Sequence, residues 1–452
     1  MRPWRAPIVG LSLSLTASGG FFMTNAPAYD PKETRYWDKA DLFTEQKRQY
    51  KVCDDCRLCW NLCPTFPALF ETSEKHEHNF DKITTQELDG IEQFCFQCKL
   101  CWVVCPYTSP HEYNLDVPRL IQRSKFVRAK DAGVGIGKKL VGDQDRLGKM
   151  AGGMMAPLTN LANSFGPARA MSSVVTGVHP KANLPRFHAE SFEGWFKKRH
   201  GAAMKPSASP VKKVAFFASC TVNYNNPEIG RACMAIFEHN NVEVVMPEQQ
   251  CCGMPMMDIG DHAGARKKTD FNLRRLSALV DQGYDIVTPG PTCSYTAKNE
   301  WEEMSSDLAL ARKVSERMFE MGQYLVQLAR EKVLLRDFKV ELGQVNFHVA
   351  CHTRAQAMGN PTARLLGIIP GTTVTSVEAC SGHDGVWGVS KQYFPLALKV
   401  GKKLYDNMKE GDAAELVTDC PLAARHIEIG TGRRPVHSSQ VIAKAYGLAD
   451  SK

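Results

Sequence analysis

Two short stretches constrain this chain more than anything else in it. Cys53-x2-Cys56-x2-Cys59-x3-Cys63-Pro64 is followed by Cys95-x2-Cys98-x2-Cys101-x3-Cys105-Pro106. Three thiols at three-residue spacing come together around one face of a metal group in a single tight turn, and the proline ends that turn. These two runs hold eight of the chain's 16 cysteines. In a secreted protein cysteines raise the question of disulfides, but runs at this spacing are ligand sets. Paired Cys-x2-Cys elements also build zinc ribbons. Two four-cysteine runs that each close in Cys-Pro point instead to iron and sulfide.

Both runs resemble the bacterial two-cluster ferredoxin run, in which three closely spaced thiolates hold one cluster and the fourth cysteine serves the other. The resemblance implies two [4Fe–4S] clusters. Cluster A takes Cys53, Cys56, Cys59 and Cys105; cluster B takes Cys95, Cys98, Cys101 and Cys63. Clusters interlocked in this way form an electron relay, with Trp60, Trp102 and Phe96 expected to shield them from water. Thiolates that hold iron must stay reduced, which leads us to expect a cytoplasmic location, with the inner face of the cytoplasmic membrane as an extension of it.

A length of 452 residues with 43% hydrophobic content gives about three domains. A net charge of +8, from 56 Lys plus Arg against 48 Asp plus Glu, is a mixed surface that does not imply nucleic acid. It leaves room for an acidic partner or anionic lipid. Met1 to Arg5 and the apolar Ala6 to Ala17 look like an export signal, but no twin-arginine pair is present, and a start at Met23 is the plainer reading. No run reaches the roughly 18 apolar residues of a membrane span, so membrane contact is expected to be peripheral.

The expected layout is an N-terminal extension (1–44), a ferredoxin-type domain (45–128), a connector (129–210) and two related domains (211–340 and 345–449). The connector is rich in Gly, Met and Pro; Gly133 to Gly137 has no strand before it and reads as flexible linker rather than a phosphate loop. Leu147, Met150, Met154, Leu158 and Leu161 fall at helical spacing, an apolar face expected to pack on a neighbouring domain, with membrane-surface contact beside Lys138, Lys139, Arg146 and Lys149 as the alternative.

The remainder is a repeat anchored on cysteines. Cys220 pairs with Cys351, Cys251 with Cys380 and Cys293 with Cys420, at offsets of 131, 129 and 127 residues. A β-rich run precedes each one, and helical patterns lie between them over 227–240, 262–282, 316–335 and 393–409. Strands alternating with helices predict parallel sheets, whose ligands gather beyond the C-terminal strand ends. The expected fold is thus multidomain: an α-helical ferredoxin-like domain followed by two repeated α/β parallel-sheet cysteine-rich domains. Adjacent Cys251 and Cys252 suit different irons of one cluster better than one tetrahedral zinc. Cys233 lies on a helical pattern outside the repeat and reads as a core residue.

Phe216 to Asn225, Cys251 to Pro255, Cys351-His352, Gly359 and Val417 to Cys420 resemble the paired CCG (cysteine-rich) domains of iron–sulfur oxidoreductases. That family includes heterodisulfide reductase subunits, glycolate oxidase iron–sulfur subunits and iron–sulfur subunits of anaerobic glycerol-3-phosphate dehydrogenases. The resemblance implies electron transfer from a flavin-containing dehydrogenase partner to a quinone or other acceptor. The repeats depart from the fuller pattern: Cys293 is followed by Thr296 and Cys420 by Ala423 where Cys-x2-Cys is usual, and Ser381 stands where a Cys pair would be completed. A further cluster on Cys220, Cys251, Cys252 and Cys293 is therefore expected, while Cys351, Cys380 and Cys420 form an incomplete set beside His352 and His383, read as hydrogen-bonding neighbours. The lost cysteines speak against the alternative of a thiol or disulfide reductase. A redox scaffold in which only the ferredoxin clusters work is a third reading.

Overall fold

The computed structural model describes residues 29–206 and 209–448; the export-like stretch and Met23 lie outside the described residues. The chain divides into two units, 29–95 with 99–127, and 96–98 with the described residues from 128 onward.

The first unit is helical. The Asp38 carboxylate caps helix Lys39–Cys56 by accepting the Asp41 N–H at 2.7 Å. The helix stops at Arg57, whose left-handed φ of 53° ends the hydrogen-bond ladder. Cys53 and Cys56 therefore sit on its last turn, and Cys59 and Cys63 in the turn before helix Thr65–Lys75. Thr84 and Glu87 close a capping box on helix Thr85–Glu92. Tyr50, Phe66, Phe70, Leu88 and Leu120 are buried in the core, and Cys53, Cys59, Cys63, Cys95 and Cys101 pack against it. Each such apolar side chain contributes about 1.5–3 kcal/mol on burial, so the cysteine turns rest on a rigid floor.

The second unit holds two sheets. β1 (Ala203–Met204), β2 (Lys212–Phe216), β3 (Val242–Val245), β4 (Asp285–Thr288) and β5 (Met318–Glu320) lie in the order β1-β3-β2-β4-β5, parallel except where β1 meets β3. β6 (Gly343–His348), β7 (Thr372–Val377) and β8 (Glu415–Thr418) form a parallel sheet in the order β7-β6-β8. Helices Pro227–His239, His262–Asp281 and Phe394–Met408 fall where the periodicity placed them. The helix expected over 316–335 does not: its first turn is β5, and only Met321–Arg330 is helical, because Glu320 caps that helix and the extended Met318–Glu320 pairs with β4.

One apolar core serves both sheets, with Phe216, Phe237 and Tyr324 from one side and Phe347, Val417 and Tyr446 from the other. A buried polar network also joins them. Lys298 donates to Gln323 and Gln356 at 2.8 Å each, and Thr353 donates to Glu320 at 3.1 Å.

The connector differs most from expectation. The flexible linker is a set of helices: Ile136–Gly142, Gln144–Ala151, Ala156–Ser164, Gly166–Thr176 and Phe192–His200. Gly137 is packed so closely that a Cβ there would come within 2.1 Å of the Val175 carbonyl oxygen. The residues spaced from Leu147 to Leu161 do not share one helix, since Gly152 and Gly153 break it. Leu147 turns inward against Ala151, Ala156 and Phe187, while Met150, Met154, Leu158 and Leu161 are exposed. The expected packing on a neighbouring domain is thus overturned for Met150, Met154, Leu158 and Leu161, and Leu147 packs on residues of the connector itself.

Candidate metal centres

In the first unit the thiols of the two runs interleave. Burial pushes the Cys59 thiol up to about 12, helped by the nearby Cys105 and Cys56. Burial also raises Cys53, with Cys59, Cys105 and Cys56 around it. The Cys63 thiol is raised to about 12 by burial and by Cys95. The fourth cysteine of each run has thus left its own run for the other. Thiols crowded out of water lose protons only to a strongly binding cation, which suits them to iron. Trp60 and Trp102 are half exposed, so neither is the water shield expected of it; Trp60 stacks on Phe70 at 5.4 Å instead.

In the second unit all seven repeat cysteines, Cys220, Cys251, Cys252, Cys293, Cys351, Cys380 and Cys420, line one cavity of about 300 Å³. Each emerges just past the C-terminal end of a strand: β2, β3 and β4 in the first repeat, β6, β7 and β8 in the second. Separate sites for the two repeats were expected; the shared core brings them to a single space. Cys220 and Cys251 sulfurs are 3.7 Å apart. Cys252 is raised by contact with Cys251 and Cys293, and Cys293 in turn neighbours Cys420. Burial raises Cys351, with Cys380 and Cys420 beside it.

Two glycines let the loops turn. Gly253 has φ +96° and Gly382 φ +68°, the equivalent step in each repeat, and a Cβ on Gly382 would come within 1.8 Å of the Ala397 carbonyl oxygen. Cys380 and Cys420 sulfurs accept backbone N–H groups of Gly382 at 3.3 Å and Ala423 at 3.4 Å. The Cys251-Cys252 loop is fixed by side chains that carry no sequence signature. Asp145 accepts the Cys251 N–H at 2.7 Å, Asn272 donates to the Cys251 carbonyl at 3.2 Å, and the buried Trp301 indole donates to that of Cys252 at 2.8 Å. Lys268 holds the Asp145 carboxylate and donates to Asp143 at 2.8 Å.

His352 is a hydrogen-bonding neighbour, its Nδ1 3.0 Å from the Thr292 hydroxyl. His383 lies ring to ring with His426 at 4.5 Å, and burial holds both imidazoles below the ordinary histidine range, His426 at about 4. Cys233 is fully buried, outside the cavity, within hydrogen-bonding distance of Ser439 at 3.3 Å.

Residues 214–298 and 345–427 match the family described as Cysteine-rich domain (CCG), and residues 46–132 match the Citrate utilization protein B Fer4-like domain. The chain thus carries two segments of the cysteine-rich (CCG) type and one of the Fer4-like type. A subunit of the anaerobic glycerol-3-phosphate dehydrogenase of Escherichia coli K12 is 26% identical over 293 residues, 64% of this chain and 72% of the relative. A subunit of the fumarate reductase (CoM/CoB) of Methanothermobacter marburgensis is 25% identical over 226 residues, 49% and 42% of the two chains. Lactate utilization protein A of Bacillus cytotoxicus is 26% identical over 244 residues, 51% and 98%. The matched segments frame the cysteines: the Fer4-like match contains both N-terminal runs, and the two CCG matches contain all seven that line the cavity.

Proposed function

We propose that this CCG protein is the iron–sulfur electron-transfer subunit of an oxidoreductase, taking electrons from a flavin-containing dehydrogenase partner and passing them to a quinone. The interleaving of the two N-terminal runs, Cys105 beside Cys53, Cys56 and Cys59, and Cys63 beside Cys95, carries this reading. In it Cys53, Cys56, Cys59 and Cys105 hold one [4Fe–4S] cluster, the second run with Cys63 holds another, and Cys220, Cys251, Cys252 and Cys293 hold a third. Bound iron–sulfur groups supply one-electron carriers. The protein's own contribution is to bury the thiols, to aim backbone N–H groups at sulfur and to pin the Cys251 amide through Asp145.

No helix among the described residues is long and apolar enough to cross a membrane. The connector offers a peripheral contact instead: Met154, Leu158, Leu161, Phe165, Met171 and Val174 are exposed, and the exposed Lys138, Lys139, Arg146 and Lys149 lie on the preceding helices. An anionic lipid surface matches that charge, at about 1 kcal/mol per basic side chain. The test is anoxic co-purification with the dehydrogenase encoded alongside it and addition of that enzyme's substrate. Bleaching of the iron–sulfur absorbance is expected; a chain that neither substrate nor dithionite reduces contradicts the reading.

A further inference from the structure

The turns that carry the first unit's cysteines leave apolar side chains in water. Leu58 is 59% exposed, and Trp102, Val103 and Val104 follow one another at 38%, 38% and 42%. Trp60 and Tyr113 are exposed as well. Only Leu100 of helix Leu100–Val104 is buried. Three consecutive apolar residues exposed on one short helix, beside further exposed apolar and aromatic side chains, mark an interaction site.

These residues stand together. Leu58 and Trp60 flank Cys59, and Val104 precedes Cys105; Cys59 and Cys105 both lie beside Cys53. The Cys56 thiol beside Tyr107 raises that phenol, whose ring lies 5.6 Å from the ring of Tyr113. The apolar positions are thus chain neighbours of Cys59 and Cys105, two half-buried thiols that share one site.

Charge decides which partner fits. Arg57 is paired with Asp54 at 2.9 Å and Glu74 at 2.8 Å, and on the helix before it Lys51 is paired with Asp55 at 3.4 Å. Of the charged residues in 57–62 and 102–113, Glu112 alone has no ion pair among the described residues. The connector's apolar face is different: Lys138, Lys139 and Lys149 near it have no ion pair among the described residues, which suits an anionic surface. A face whose charges are already paired within the chain suits neither lipid headgroups nor a partner steered in by charge. Aromatic and aliphatic side chains without free charge are the composition of the core of a lasting subunit interface, in which Trp is often the anchor.

We propose that Leu58, Trp60, Trp102, Val103 and Val104 are the docking face for the flavin-containing dehydrogenase partner, whose matching surface is apolar and uncharged. The face seats that partner against the turn carrying Cys56, Cys59 and Cys105. This rests on the electron-transfer reading above and gives its donor a place, at the first cysteine run.

The test is titration of the anoxically purified holoprotein with the purified dehydrogenase encoded alongside it, followed by sedimentation velocity, together with amide exchange of the wild type alone and in the complex. Leu58→Ser with Val104→Ser replaces no cysteine and is expected to keep its iron and its reduction by dithionite while the dissociation constant rises at least tenfold. Leu158→Glu with Leu161→Glu, on the connector, is expected to leave that constant unchanged. Exchange over 57–62 and 102–105 is expected to slow at least tenfold in the wild-type complex. A complex that forms without slowing exchange there, or that binds the Leu58→Ser, Val104→Ser variant as tightly as the wild type, overturns the proposal and spares the electron-transfer reading. A wild type that pairs with itself or with lipid vesicles through this face, and not with the dehydrogenase, overturns it too. If the variant loses iron, the exchange measurement on the wild type decides alone. A complex protected over 57–62 and 102–105 in which neither the dehydrogenase substrate nor dithionite reduces the chain keeps the docking face and sinks the electron-transfer reading.

Discussion

Lys268 is 7% exposed and is shared between Asp143 and Asp145, the second of which grips the Cys251 amide. Lys268→Met leaves two carboxylates without their countercharge, so the folded protein is expected to lose about 3 kcal/mol, read as a lower denaturant midpoint. Cysteines divide sharply by environment. Cys233 touches only core and Ser439, so Cys233→Ala is expected to retain all the iron, whereas Cys63→Ala loses about half of the N-terminal iron; iron per chain, measured after anoxic purification, separates the two. The cysteine ligand candidates stood out in the sequence because three-residue spacing is rare without a metal. Asp145 and Lys268 did not, since each acts across a fold that joins positions more than a hundred residues apart, and a lone Asp or Lys has no local pattern.

Among elements, the strands that carry cysteines were legible because each is a short β-rich run ending at a Cys. β5 was hidden: Met318-Phe-Glu continues smoothly into the apolar spacing of Met321–Arg330, and its pairing with β4 decides its state. The connector misled through its glycines and prolines. Pro157 and Pro167 stand in the first turns of helices and Gly177, at φ 73°, closes one, so these residues punctuate helices instead of loosening a linker. Gly382→Ala forces a Cβ onto backbone and strains φ, and is expected to cost at least about 2 kcal/mol and to disorder the Cys380 loop, seen as faster amide exchange over 378–390. Leu158→Glu with Leu161→Glu changes only exposed positions; the fold is expected to stand, while binding to vesicles containing anionic lipid falls about tenfold or more in co-sedimentation.

At the scale of the molecule, the two CCG domains share one core, to which β2, β6 and β8 contribute Phe216, Phe347 and Val417, and Glu320 accepts a hydrogen bond from Thr353 of the second repeat. The repeat was visible as matched cysteines, but a sequence comparison of its two halves does not say that their strand ends converge; shared core residues such as Leu325 and Leu365 bring that about. The account depends on sulfur from these loops holding iron and sulfide. The most direct measurement is iron, sulfide and zinc per chain, with EPR after reduction, on protein made and kept under strict anoxia. The account predicts brown protein with about eight irons on the N-terminal runs and more on the cavity cysteines, and signals from coupled clusters. Colourless protein, or stoichiometric zinc at residues 53–105, contradicts it.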